Sequence, residues 1–243
     1  MTTHRPELHF VPESGILEAP AGVLLDGTTW HLFFQYRHEL SAPAHWGHTY
    51  SEELPFDWLE CDDVLAPVGG ELSLRAGSVA AGEDAINLYF TSVTSTGTSV
   101  RLARFTDFHD VCEISDDRHS LDPNVVRYGE VASSVTNYSR FRSPSVVPDW
   151  AAKDRDEGHA GWLMLALTGH SDAPLPVILR SADGLSWEVE GPLEFNGEPG
   201  FNQGEVPANS SIPPVVSPRL VRLRDEVDGR IYDVLLLTLE RNN

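Results

Sequence analysis

A chain of 243 residues with 41% hydrophobic content can bury a substantial core, as one domain or two. Its 37 acidic and 17 basic residues leave a formal net charge of −20. That field repels phosphate backbones and anionic lipid, so nucleic acid and membrane surfaces are disfavoured as partners, whereas neutral sugars are indifferent to it.

No stretch reaches the ~18 apolar residues that span a bilayer. The opening MTTHRPELHF lacks the apolar core of a secretory signal. Cys61 and Cys112 are too few for a disulfide framework. A soluble cytoplasmic protein with reduced thiols is the expectation.

Little of the chain reads as helix. Short β-branched and aromatic runs punctuated by Gly, Pro, Asn and Asp predict an all-β fold. A tight turn is expected at Pro20-Ala21-Gly22. Strands are then predicted at Gly22–Asp26 and Thr29–Tyr36, with Asp26-Gly27 marking the hairpin between them. His45–Ser51 and Trp58–Asp62 complete a first set. Gly77–Ala81, Ala85–Thr91, Val100–Phe105 and Val111–Ile114 make a second. Ser145–Val147, Trp162–Thr168, Val177–Ser181 and Trp187–Glu190 make a third, and Arg219–Arg224 with Ile231–Leu239 begin a fourth.

Equivalent anchors fall at Gly22, Gly77, Pro144 and Pro218, spaced by about 55 to 75 residues, the period of a four-stranded propeller blade. The chain is therefore read as a single, incomplete β-propeller domain over residues 1–243, of about three and a half blades, with no separate C-terminal β-sandwich. Cys61 and Cys112 fall at near-equivalent fourth-strand positions, which gives both thiols a structural role. The last strand leaves an unpaired edge that a second copy could cover, so a homo-oligomer is a candidate. Ser115–Ser139 and the Gly/Pro/Asn-rich Phe195–Pro214 read as loops.

The wording of residues 5–48 resembles glycoside hydrolase family 32, the invertases, inulinases and levanases. The resemblance rests on Arg5-Pro6, His9-Phe10, Pro12, Pro20, Gly22, His31-Leu32-Phe33-Phe34-Gln35-Tyr36 and His45-Trp46-Gly47-His48. It implies a five-bladed propeller that hydrolyses β-fructosides. Retention needs two carboxyl groups roughly 5–5.5 Å apart, one attacking the anomeric carbon and one serving as acid and base.

At the positions where the resemblance places these groups, the chain departs from the pattern. The nucleophile of the family's Asn-Asp-Pro-Asn-Gly falls on Ala19, with Glu18 before it. The transition-state stabiliser of Arg-Asp-Pro falls on Ser143, in Arg142-Ser143-Pro144. The acid/base of Glu-Cys-Pro has two alignments. By blade register it falls on Val216; by local wording, Gly204-Glu205-Val206-Pro207 places it on Glu205. Blade register draws on more of the chain and is preferred.

The resemblance implies sugar contacts at Gln35, Trp46, Ser78, Arg142 and Ser143. His45 and His48 invite a metal, but lie on alternate strand faces without a third ligand, and no zinc spacing occurs. No metal and no cofactor are expected. The leading reading is a non-catalytic or weakly active relative that binds a small carbohydrate such as a fructoside. A β-fructosidase using Glu18 or Glu205 in relocated roles is the alternative. A scaffold pairing through its open blade edge is a third.

Overall fold

In the computed structural model, the structure describes residues 10–53, 57–82, 84–108, 120–133, 135, 137–150, 161–170, 174–194 and 215–239. Strands β1 (Ile16–Asp26), β2 (Thr29–Arg37), β3 (His45–Ser51) and β4 (Leu59–Glu60) form an antiparallel meander. A second comprises β5 (Glu71–Ala81), β6 (Ile86–Thr94), β7 (Gly97–Phe105) and β8 (Val125–Ala132). A third comprises β9 (Arg142–Pro148), β10 (Trp162–Thr168), β11 (Leu175–Ser181) and β12 (Glu188–Pro192). Strands β13 (Val215–Arg224) and β14 (Ile231–Leu239) pair as a two-stranded sheet.

The first strands lie side by side, β1 against β5, β5 against β9 and β9 against β13. Meanders stacked through successive inner strands are the β-propeller arrangement that the repeat predicts. No helix among the described residues is long and apolar enough to cross a membrane.

The core occupies the seams between sheets. Between the first and second lie Phe33, Trp46, Leu74, Ile86, Leu88, Phe90 and Phe105. Between the second and third lie Tyr89, Val100, Leu102, Phe141, Met164 and Leu179. Side chains alternate across a strand. On β6, Ile86, Leu88 and Phe90 therefore face the first sheet while Tyr89 faces the third. A sheet covered on both faces explains why Ile86–Phe90 reads as an unbroken apolar run interrupted only by Asn87. Each large side chain so enclosed contributes roughly 1.5–3 kcal/mol.

The glycine anchor of the second blade marks close approach of backbones. A Cβ on Gly77 would overlap the Tyr89 carbonyl and stand 2.9 Å from Pro144 Cγ on the next inner strand. The β1–β2 hairpin turns at Gly27, whose φ of 57° suits the left-handed turn that follows Asp26.

Four expectations need correction. Pro20-Ala21-Gly22 is not a turn. It lies within β1, where the register shifts between Leu17 and Ala19 and again between Pro20 and Gly22. A bulged strand tolerates a proline because one ladder position there is already unpaired. The inner strands also begin earlier than predicted, and the fourth strand of the first sheet shrinks to Leu59–Glu60. Finally, β8 supplies the fourth strand of the second sheet from within the expected loop Ser115–Ser139.

The position expected for Cys112 is thus taken by another segment. Cys112 itself, the predicted strand Val111–Ile114, the loop Phe195–Pro214 and Arg5-Pro6 lie outside the described residues. Cys61 is buried, and its backbone N–H donates to the His48 carbonyl at 3.0 Å.

Candidate functional site

The N-terminal halves of the inner strands share one structural device. Each carries a bulge: at Glu18 in β1, across Ala76-Gly77 in β5, across Ser143-Pro144 in β9 and at Val216 in β13. A bulge breaks the alternation of faces and re-aims the side chains around it. Three of these bulges fall where the sequence places the family's chemistry, beside Ala19, at Ser143 and at Val216.

On β1, Ala19 is half-buried and pairs with Gln35. Glu18 is the extra residue of the bulge, and its carboxylate turns toward the second strand. One oxygen accepts the Arg37 Nε–H at 2.5 Å and the other accepts a hydrogen bond from Gln35 Nε2. The opposite end of the Gln35 amide accepts the Ala76 N–H at 2.5 Å, so this side chain links the first sheet to the second.

Trp46 and Ser78 occupy the same kind of seam. The indole of Trp46 is wholly buried, edge-on to Phe90, and its N–H donates to the Arg75 carbonyl at 3.2 Å. The Ser78 hydroxyl accepts the Val146 N–H at 2.9 Å, across the second seam. Ser145 repeats the device at the third, accepting the Leu220 N–H at 3.2 Å.

On β9, Ser143 holds a left-handed backbone with φ 51°, and its N–H donates to Thr91 Oγ1 at 2.9 Å. Arg142 spreads its guanidinium over three carbonyls, those of Gly169 at 2.7 Å and of Arg140 and His170 at 3.2 Å each. Burial, with help from the nearby positive charges of Arg75 and Arg140, pulls the Arg142 pKa below its ordinary value. Val216 lies at the β13 bulge, and Glu205 lies outside the described residues.

The predicted site residues that the structure describes thus lie on the inner strands β1, β5, β9 and β13, with Gln35 and Trp46 on β2 and β3, and they do not all meet. Gln35 touches Glu18 directly. Trp46, Ser78 and Ser143 are each joined to a neighbouring sheet through backbone groups. Two features escaped the sequence reading. The Glu18–Arg37 pair could not be read because bulges leave no mark in hydrophobic periodicity. Arg75 sits far from Arg142 in sequence and comes near it only in the fold.

A second group lies on the first sheet. His45 Nδ1 stands 3.0 Å, and His38 Nε2 3.5 Å, from Asp63 Oδ2; Tyr36 donates its hydroxyl to Asp63 Oδ1 at 2.7 Å. Burial and the Asp63 carboxylate push the Tyr36 phenol upward. His48, by contrast, is buried in the first seam, stacked on Phe33 and His31. The two histidines of His45-Trp46-Gly47-His48 do take opposite faces, but His45 finds two other partners.

Comparison with known proteins places this geometry. The chain matches the Glycosyl hydrolases family 32 N-terminal domain over residues 9–219. It is 28% identical to an invertase of Schwanniomyces occidentalis over 162 residues, 64% of this chain and 30% of that protein. With an invertase of Wickerhamomyces anomalus it shares 25% identity over 217 residues, 86% of this chain and 37% of that protein. The chain therefore spans about a third of the length of these relatives. The fold is shared with fructan 1-exohydrolase IIa of Cichorium intybus, with a TM-score of 0.70 and 18% identity, covering 97% of this chain and 42% of that one. A fructofuranosidase of Schwanniomyces occidentalis complexed with fructosylnystose has a TM-score of 0.66 at 19% identity, covering 96% of this chain and 42% of that one. With a family match over residues 9–219, most of its length, this chain belongs to glycoside hydrolase family 32.

Proposed function

We propose that the chain is a non-catalytic family 32 relative that binds a small carbohydrate of the fructoside type. One observation carries this reading: the inner-strand positions aligned with the family's carboxylates hold Ala19, Ser143 and Val216, and the nearest carboxylate, Glu18, has both oxygens engaged by Gln35 and Arg37. Alanine forms no glycosyl bond, and serine carries no charge to oppose an oxocarbenium ion. Arg142, next to Ser143 in sequence, also feels the positive charges of Arg75 and Arg140, a local field that disfavours a developing positive charge. Because such groups act as a unit, losing one removes most of the rate.

Binding needs less. Gln35 on β2 and Arg142 and Ser143 on β9 supply hydrogen-bonding groups beside the inner-strand bulges, while Trp46 and Ser78 hold the seams on which those groups rest. Titration calorimetry with fructose and sucrose tests this. Heat of binding that is lost in Gln35→Ala, in a variant whose melt is lowered but stays well above the assay temperature, supports the reading; no binding to either sugar contradicts it.

A second reading is favoured by the bulge at Glu18. The bulge frees that side chain from strict alternation and sets it against Gln35, so Glu18 is the carboxylate best placed to serve as a relocated nucleophile. Turnover of sucrose, inulin or levan that disappears in Glu18→Gln would establish it. Turnover that disappears only in Glu205→Gln would instead assign the chemistry to the 195–214 stretch.

A further inference from the structure

We propose that His38, His45 and Asp63 bind one divalent transition-metal ion of the zinc class, at a site separate from the inner-strand positions and independent of the sugar-binding reading. The three donor atoms all lie within 4.8 Å of one another. Ligands of a tetrahedral ion bound at ~2.0–2.2 Å stand roughly 3.3 Å apart. The two distances to Asp63 Oδ2, 3.0 Å from His45 Nδ1 and 3.5 Å from His38 Nε2, already bracket that value.

The surroundings fit a ligand set better than a lone hydrogen bond. Both imidazoles converge on the same carboxylate oxygen. The other oxygen is held by the Tyr36 hydroxyl at 2.7 Å, which orients the carboxylate in the way that outer partners orient metal ligands. Asp63 is 4% exposed and fixed by its backbone, its N–H donating to Ser120 O at 3.2 Å and its carbonyl accepting the Asp122 N–H at 2.9 Å. His45 is fixed by β3. The imidazoles retain 16–17% exposure, so the group is not sealed from solvent, and water can complete the coordination.

Two imidazole nitrogens with one carboxylate oxygen suit zinc, cobalt or nickel and not calcium or magnesium, which prefer all-oxygen sets. An ion here would clip the connection between β2 and β3, which carries His38, onto the Asp63 segment. The protein's net charge of −20 adds a general attraction for cations.

The test is titration of the chelator-stripped full chain with zinc chloride, read by calorimetry. One equivalent is expected to bind, weakened at least tenfold by His38→Ala and by His45→Ala and about tenfold by Tyr36→Phe. Magnesium chloride is expected to give no such binding. His38→Ala alters a partly exposed ring in a connection, so its melt without zinc is expected to match the parent and its loss of zinc is attributable to the site. Absence of zinc binding in the parent, or binding that His38→Ala and His45→Ala both leave unchanged, overturns the proposal.

Discussion

Ser143 is held with φ 51°, a conformation that a side chain with a Cβ adopts only at a cost of about 1 kcal/mol or more. Its N–H is committed to Thr91 Oγ1, so the strain belongs to the packing of β9 on β6 and is not a free choice of the loop. Glycine has no such penalty, although it pays more chain entropy on folding. Ser143→Gly is therefore expected to be neutral or stabilising by up to about 1 kcal/mol in urea unfolding, unlike most substitutions in a strand; a loss above that size would show that the hydroxyl holds the bulge. His48 gives a second residue-scale expectation. Burial, reinforced by the neighbouring His31, pulls its pKa from 6.5 down to about 3. The unfolded chain binds this proton below pH 6.5 while the folded chain refuses it. The stability is fully present above pH 6.5 and declines as pH falls, by about 1.4 kcal/mol per unit through the window down to about 3. Urea midpoints between pH 6.5 and 5 read this decline before the carboxylates titrate, and a flat curve there would contradict it.

At the scale of elements, the inner strands carry the burden of both fold and site. Gly77 sits where β5 passes β6 and β9 so closely that a Cβ would meet the Tyr89 carbonyl. Gly77→Ala is expected to cost about 1–3 kcal/mol by forcing backbone shifts, measured as a lower urea midpoint with unchanged slope. Most of these elements could be read from the sequence. His45–Ser51, Trp162–Thr168 and Ile231–Leu239 have the predicted bounds, because apolar residues there alternate or run unbroken between clear turn residues. Strand β8 was not legible. Its Val125–Ala132 is mostly half-exposed, with Arg127 reaching back to Glu71 at 2.8 Å, so it lacks the apolar pattern that marks a buried strand. The bulges were illegible for a different reason. They are decided by contacts between neighbouring inner strands, and Pro20-Ala21-Gly22 taken alone has the composition of a turn. The site inherited that limit: Ala19 and Ser143 are candidates from motif wording and Val216 from blade register, but the partners of Glu18 and the meeting of His38, His45 and Asp63 depend on the fold.

For the molecule as a whole, the seams between sheets give a structural reason for the scaffold words of the family to persist. Trp46 fills the first seam completely, Gln35 ties that seam through Ala76, and Ser78 ties the next through Val146. These residues hold the stack of sheets together whether or not a sugar is turned over, so stability alone preserves them. No such demand protects a carboxylate at the mouth of the inner strands, where desolvation and mutual repulsion make paired carboxylates costly. On the proposed reading, the retained wording reports a fold and the altered positions report the chemistry. The most direct measurement is release of reducing sugar from sucrose by the folded protein, with Glu18→Gln run alongside and the thermal melt of each preparation recorded. A folded protein that releases no reducing sugar above the buffer is the expected result. Steady turnover by the parent that vanishes in Glu18→Gln would contradict the non-catalytic reading and make the β1 bulge the seat of a working nucleophile.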